Sequence, residues 1–316
     1  MKASALGITG ISALGYSSLV YGQENRTRVV IFRTQDRRQG VATIINTLND
    51  PQMKGRRVLI KPNFNTADPT PGGTHNDTLS QLIIELRNRG GEDITIGESS
   101  GPPVTREVME QKGIFQLAEE LKTNIINYDE MAEDQWVHLK GDNWPNGFSI
   151  PRVAAEAEYL VSTPCLKTHG SGVFTMSLKL AVGLTPEAIR GELHGRSDGA
   201  PRGQRDNTGL RLRIAELNTA YRPQLIVMDG IEVFTDGGPS RGTLKQGNVF
   251  IGGTDRIAVD AVGVAILKDL GSNDQIMNTK IFEQTQIARA VELGLGISAP
   301  DQIEFITPDQ PSAAYA

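Results

Sequence analysis

Residues 57–97 read RVLIKPNFNTADPTPGGTHNDTLSQLIIELRNRGGEDITIG, and this stretch decides the fold. Arg57–Lys61 is a short apolar run of strand length that stops at Pro62-Asn63. Leu79, Leu82, Ile83 and Leu86 then recur at helical spacing until Gly90-Gly91 ends the segment. Asp93–Gly97 returns to a strand-like pattern. Strand, helix and strand in succession imply a crossover unit, because parallel strands need a long connection that packs back on the sheet.

The same alternation extends in both directions. Thr27–Arg33 reads as a strand before a helix at Val41–Leu48, and Thr105–Leu121 supplies helix interrupted near Gly113. Asn124–Asn127, Tyr159–Ser162, Gln224–Met228 and Asn248–Ile251 read as further buried strands, and Arg256–Leu270 and Ile281–Leu293 as helices. The expected fold is α/β, a mostly parallel sheet with helices on both faces, arranged as one body or two closely packed lobes.

Residues 1–22 carry Lys2 followed by an apolar stretch diluted with Gly and Ser. This reads as an export signal, similar to the tail of a twin-arginine signal, preceding a single α/β domain over residues 23–316. The expected location is therefore exported and periplasmic, or cytoplasmic should the signal not function. The stretch is too weakly apolar for a stable membrane span in the mature chain. A net charge of -5 argues against a nucleic-acid partner, which needs a basic surface. The single cysteine, Cys165, excludes an internal disulfide and cannot alone hold an iron–sulfur cluster.

Chemistry concentrates in residues 165–194. Lys167 and His169 follow the apolar run Tyr159–Pro164, where a strand end would present them to the ligand crevice of an open sheet. Lys179 sits in the apolar segment MSLKLAVG, and His194 follows. A lysine among apolar neighbours has a lowered pKa and can serve as a base, a Schiff-base nucleophile or a cofactor tether. A histidine can ligate a metal or move a proton near neutral pH. The bland alternative has Lys179 snorkelling from an amphipathic helix and His194 near a helix C-terminus. His169, Lys179 and His194 are thus the candidate catalytic residues, with His169 and His194 also candidate metal ligands. Lys61, Asn63, Asp77, Thr78, Lys167 and Asp229 are candidates for binding substrate or cofactor. N-capping alone explains Asp77 equally well. Asp229 and Asp236 could instead bind Mg²⁺ for hydrolysis if their side chains converge.

Four motifs in order, KPNFN, LKTHG through TMSLKLAVG to His194, DGIEVFTDGGP and GGTDRIAVDAVG, resemble the domain-of-unknown-function 362 family over roughly residues 27–300. Members of that family often carry ferredoxin-type cysteine motifs, which this chain lacks, so no intrinsic iron–sulfur cluster is expected. The order of His169, Lys179 and His194 also resembles nickel-pincer lactate racemases. That resemblance implies a lysine-tethered pincer cofactor, one histidine as nickel ligand and another as acid/base. Asn76-Asp77-Thr78 is similar to their substrate-side Asn-Asp-x-Thr-Arg motif, with Leu79 or Ser80 where the arginine would stand.

The leading expectation is an exported enzyme whose Lys/His site, assisted by a divalent metal or a nickel-pincer-like cofactor, moves protons or hydride on a small anionic metabolite. Isomerase/racemase-like or oxidoreductase chemistry fits that description. The alternative is a non-catalytic binding protein or accessory subunit of an iron–sulfur redox complex, with an iron–sulfur protein as partner.

Overall fold

The computed structural model describes residues 26–101, 103–194 and 207–316. The proposed export signal at residues 1–22 lies outside the described residues, as do residues 195–206. The strands are β1 (Thr27–Arg33), β2 (Arg57–Pro62), β3 (Glu92–Glu98), β4 (Asn124–Asn127), β5 (Trp136–Gly141), β6 (Trp144–Pro151), β7 (Tyr159–Thr163), β8 (Cys165–His169), β9 (Val173–Thr175), β10 (Leu225–Gly237), β11 (Gly242–Gly253) and β12 (Ile303–Ile306). The helices are α1 (Arg37–Leu48), α2 (Asn76–Asn88), α3 (Thr105–Gln111), α4 (Ile114–Glu120), α5 (Arg152–Ala155), α6 (Ser177–Leu180), α7 (Glu187–Leu193), α8 (Thr208–Leu217), α9 (Arg256–Asp269), α10 (Asp274–Met277), α11 (Thr285–Glu292) and α12 (Gln310–Ala313).

Ten strands form one sheet with the path β12-β1-β11-β10-β7-β2-β3-β4, and β8 pairs with both β10 and β9. The β7–β2–β3–β4 half is parallel throughout. β11 runs antiparallel between β1 and β10, so the sheet is mixed although mostly parallel. The α/β expectation holds. Both faces are covered. One apolar cluster joins α9 and α11 residues such as Val262, Leu267 and Ile287 to Val29, Met228 and Ile251. The other packs Ile44, Leu82 and Ile83 of α1 and α2 on Val30, Ile60 and Phe250. A third cluster, with Trp144, Phe148 and Ile214, seats the separate β5–β6 hairpin beside α8.

Two expected strands prove much longer than read. Gln224–Met228 and Asn248–Ile251 are the buried portions of β10 and β11, which continue as a hairpin to Gly237 and Gly242. Their outer residues, such as Asp236, Thr243 and Leu244, are exposed, so no apolar run marks them.

One feature of the sheet creates the cavity. β2 pairs with β7 up to Pro62↔Thr163. After Pro164 the chain bends into β8, which follows β10 and no longer β2. The sheet therefore splits at the carboxyl ends of β2 and β7, where α/β proteins commonly place their ligand crevice.

Candidate functional site

A cavity of about 880 Å³ fills this split. Lys61, Asn63, His169, Lys179 and His194, five residues singled out from the sequence, all line it. They arrive on different elements: Lys61 and Asn63 from the end of β2, His169 from the end of β8, Lys179 from α6, and His194 from the C-terminus of α7.

His169 closes β8 and opens a tight turn into β9. Its Nδ1 accepts hydrogen bonds from the backbone N–H groups of Ser171 and Gly172, each 3.1 Å away. Accepting there places the ring proton of the neutral imidazole on Nε2. Burial keeps it neutral, holding its pKa well below the usual value, with the charges of Lys179, His194 and Lys167 acting in the same direction. His169 is thus a neutral hydrogen-bond donor at Nε2. Val173, at the far end of the turn, has φ 72°, a left-handed conformation that costs a β-branched residue energy and that the tight turn imposes.

His194 is bound the other way round. Its Nδ1 lies 2.8 Å from the Arg190 carbonyl oxygen, which can only accept, so Nδ1 carries a proton. The two histidines therefore differ at Nδ1, an acceptor in His169 and a donor in His194. This bears on their expected role as a pair of metal ligands. A metal binds through a lone pair, and in His169 the Nε2 lone pair is taken by the proton while Nδ1 is occupied by two N–H donors. Among the described residues no group of three or more His, Cys, Asp or Glu side chains could hold a metal ion. The residues present do not fit a nickel centre held by this histidine pair.

Lys179 is held differently. It sits in a short helical turn whose first N–H groups, those of Ser177 and Leu178, donate to the carboxylate of Asp260 on α9 at 2.7 and 2.9 Å. Asp260 is fully buried, and burial pushes its pKa up to about 7. Asn218 Nδ2 donates to the Leu178 carbonyl at 2.9 Å, and Arg256 donates to Asn218 Oδ1 at 3.0 Å. The turn that carries Lys179 is therefore clamped from two sides. The lysine stem crosses Gly172, where a Cβ would lie 2.9 Å from its Cδ and Cε. Its Nζ makes no hydrogen bond or ion pair among the described residues. Burial, together with the nearby Lys167 ammonium, lowers its pKa to about 7.

Lys61, a candidate for binding substrate or cofactor, pairs on the cavity lining with Glu98, which was not a candidate. Lys61 Nζ donates to Glu98 Oε1, and both side chains are fully buried. Glu98 also accepts from Phe64 N and Ser99 N, both at 2.8 Å, which ties the ends of β2 and β3. Burial raises the Glu98 carboxyl and lowers the Lys61 ammonium, while each charge partly offsets the other's shift. Arg190 was missed altogether. Its Nη2 forks onto Asp129 at 2.9 and 3.1 Å, and its Nη1 donates to Ser99 Oγ at 2.8 Å. No local pattern flags Arg190 or Asp129, because they meet across 61 residues. Three buried polar atoms on lining residues, Asn63 Oδ1, Ser100 Oγ and Thr175 Oγ1, have no partner.

The remaining expected binding residues lie elsewhere. Lys167 is fully buried with its ammonium on the carbonyls of Gly72 (2.7 Å) and Pro239 (3.0 Å), where it pins two loops together. Burial lowers its pKa to about 8. Asp229 accepts from Arg37 Nε and Thr78 Oγ1, both at 2.9 Å, and so joins β10 to α1 and α2. Asp77 is paired with Arg38 on the surface, 3.0 Å apart. Asp77, Thr78 and Asp229 thus lie where α1 and α2 meet β10 and do not line the cavity. Asp236 bonds to Asn273, so the proposed Asp229–Asp236 convergence does not occur.

A family model described as a domain of unknown function, DUF362, matches residues 58–265. The chain belongs to the DUF362 family. The four sequence motifs had pointed to it, and the split sheet with its Lys/His cavity falls almost wholly inside the matched span. A thylakoid-associated protein of Synechocystis sp., sll1697, is 24% identical over 221 residues, covering 68% of this chain and 64% of that protein. The match therefore spans less than two thirds of that relative's length. The lactate racemase apoprotein from Thermoanaerobacterium thermosaccharolyticum is similar in structure at a TM-score of 0.48, with 12% identity over 92% of this chain and 86% of that one. No helix of the described residues is long and apolar enough to cross a membrane.

Proposed function

We propose that this DUF362 chain is an enzyme whose catalytic centre is the cavity at the split of β2 and β8, acting on a small anionic molecule. The observation that carries the reading is the amine of Lys179. It is oriented by a clamped turn, lies on the cavity wall beside His169, and has no hydrogen-bond or ion-pair partner among the described residues. An amine with a pKa near 7 is partly neutral at neutral pH, so it can act as a base or a nucleophile where an ordinary lysine cannot. His169 donates a hydrogen bond from Nε2–H, and His194 serves as the acid/base. Lys61 and Asn63 bind the substrate at the opposite wall.

A lysine-tethered cofactor would find in Lys179 a suitable amine; the tautomer of His169 removes that histidine as a nickel ligand, and no step is assigned to a pincer cofactor. Mass spectrometry and metal analysis of natively expressed protein test this directly. The reading expects a purified chain whose turnover is lost in Lys179→Ala and His169→Ala. Undiminished turnover in both variants would reject the cavity as the catalytic centre. Export through residues 1–22 is part of the proposal and is tested by cell fractionation. Turnover by the isolated chain also separates an enzyme from an accessory subunit that works only with an iron–sulfur partner.

A further inference from the structure

We infer that Lys179 captures the carbonyl of a small oxo acid as a Schiff base within the cavity, an inference that rests on the catalytic reading above and names its substrate class. Three features of the geometry lead to it. The Nζ is held at the cavity wall by a turn fixed through Asp260 and Asn218, so a bond formed there does not require the chain to rearrange. Among the described residues no carboxylate pairs with it, whereas the lining cations Lys61 and Arg190 are each committed to a carboxylate, Glu98 and Asp129. His169 close by presents an N–H that can donate to a carbonyl oxygen, because its Nδ1 is occupied by the backbone.

The chemistry balances without any further reactant. The neutral amine adds to the carbonyl carbon, forming a C–N bond as the C=O π pair moves to oxygen. The His169 Nε2–H hydrogen-bonds the developing oxyanion, and the two protons of the amine pass to that oxygen. Its loss as water leaves a C=N bond at Lys179, which becomes the protonated Schiff base by taking one proton from solvent. No atom is oxidised or reduced.

Charge selects an acid over a simple ketone. The protonated Schiff base is a buried cation with the Lys167 ammonium already in its field, since Lys167 is the one charge that lowers the Lys179 pKa beside burial. Among the described residues no anion pairs with Nζ. A ligand that brings its own carboxylate next to the carbonyl supplies the missing negative charge, and neutral carbonyl compounds leave the cation uncompensated.

The test is reductive trapping of the intact chain with sodium cyanoborohydride, using pyruvate and acetone as probes, followed by peptide mapping. At neutral pH an ordinary lysine of pKa ~10.4 is roughly a thousandfold less deprotonated than one of pKa near 7. Allowing for the weaker nucleophilicity of the less basic amine, pyruvate should label Lys179 about a hundredfold faster than the other lysines. Acetone should label it at least tenfold more slowly than pyruvate. Mapping the wild-type chain locates the adduct without relying on a variant, and Lys179→Arg should abolish it. Labelling spread over surface lysines, or equal rates with acetone and pyruvate, would overturn the inference. A neutral acylating reagent separates the two levels of the argument. Selective acylation of Lys179 without a pyruvate adduct would overturn the oxo-acid assignment while leaving the reactive amine of the catalytic reading in place. Absence of both would remove each.

Discussion

At the scale of single residues the account turns on Lys179, whose burial has an energetic signature. Its ordinary pKa of 10.5 applies to the unfolded chain and about 7 to the folded one. Below pH 7 the residue is charged in both states, and the folded state bears the full cost of a buried, unpaired ammonium. Between about 7 and 10.5 the folded chain sheds the proton while the unfolded chain keeps it, so the cost fades and stability rises with pH across that window. Lys179→Met should therefore stabilise the protein, by on the order of a few kcal/mol at pH 6 and by much less at pH 10, while abolishing turnover. Denaturant unfolding of both proteins at the two pH values checks this. A variant that is less stable than the wild type at pH 6 would mean that the amine has a partner. Activity that depends on the neutral amine should likewise rise with pH through about 7, read from the pH profile of kcat/KM.

At the scale of elements, the short turn α6 is set by its neighbours more than by its own four residues. Asp260 accepts both leading N–H groups of the turn from inside α9. Asp260→Ala leaves two buried donors without an acceptor and should cost about 1–3 kcal/mol in denaturant unfolding. It should also slow acylation of Lys179, because the amine loses its fixed direction. Destabilisation with unchanged acylation would show that Asp260 supports the fold without positioning the lysine. The strands and long helices were legible because apolar periodicity survives in a one-dimensional reading. Leu79–Arg89 and Arg256–Leu270 were read within a few residues of α2 and α9. The outer half of β11 was not, since its residues are exposed, and that of β10 was not, since Asp229, Glu232 and Asp236 interrupt its apolar residues.

At the scale of the whole molecule, the cavity exists because one strand bends at Pro164 and leaves its neighbour. That explains which candidates met. Lys61, Asn63, His169, Lys179 and His194 lie on segments that face the split, and strand-end position plus residue type were enough to find them. Lys167 has the same residue type and a similar place, yet it points to the carbonyls of Gly72 and Pro239. The alternation of sides along β8 separates it from His169 by two residues but not by face, so loop closure decided its role, and no sequence pattern records that. Glu98, Asp129 and Arg190 became visible only when distant segments were brought together. A ligand that fills this cavity binds only the folded chain. Pyruvate at a hundred times its Kd should then stabilise the protein by about 2.7 kcal/mol and raise Tm by roughly 5 °C. The shift should vanish in Lys179→Met, and thermal denaturation with and without pyruvate reads both.

The central claim is a deprotonatable, unpartnered amine in the cavity, and its titration is the most direct test. The rate of acylation of Lys179, followed by peptide mass spectrometry across pH 5 to 11, reports the fraction of neutral amine. The account predicts a midpoint at about 7. A midpoint at the ordinary lysine value of 10.5 would contradict it.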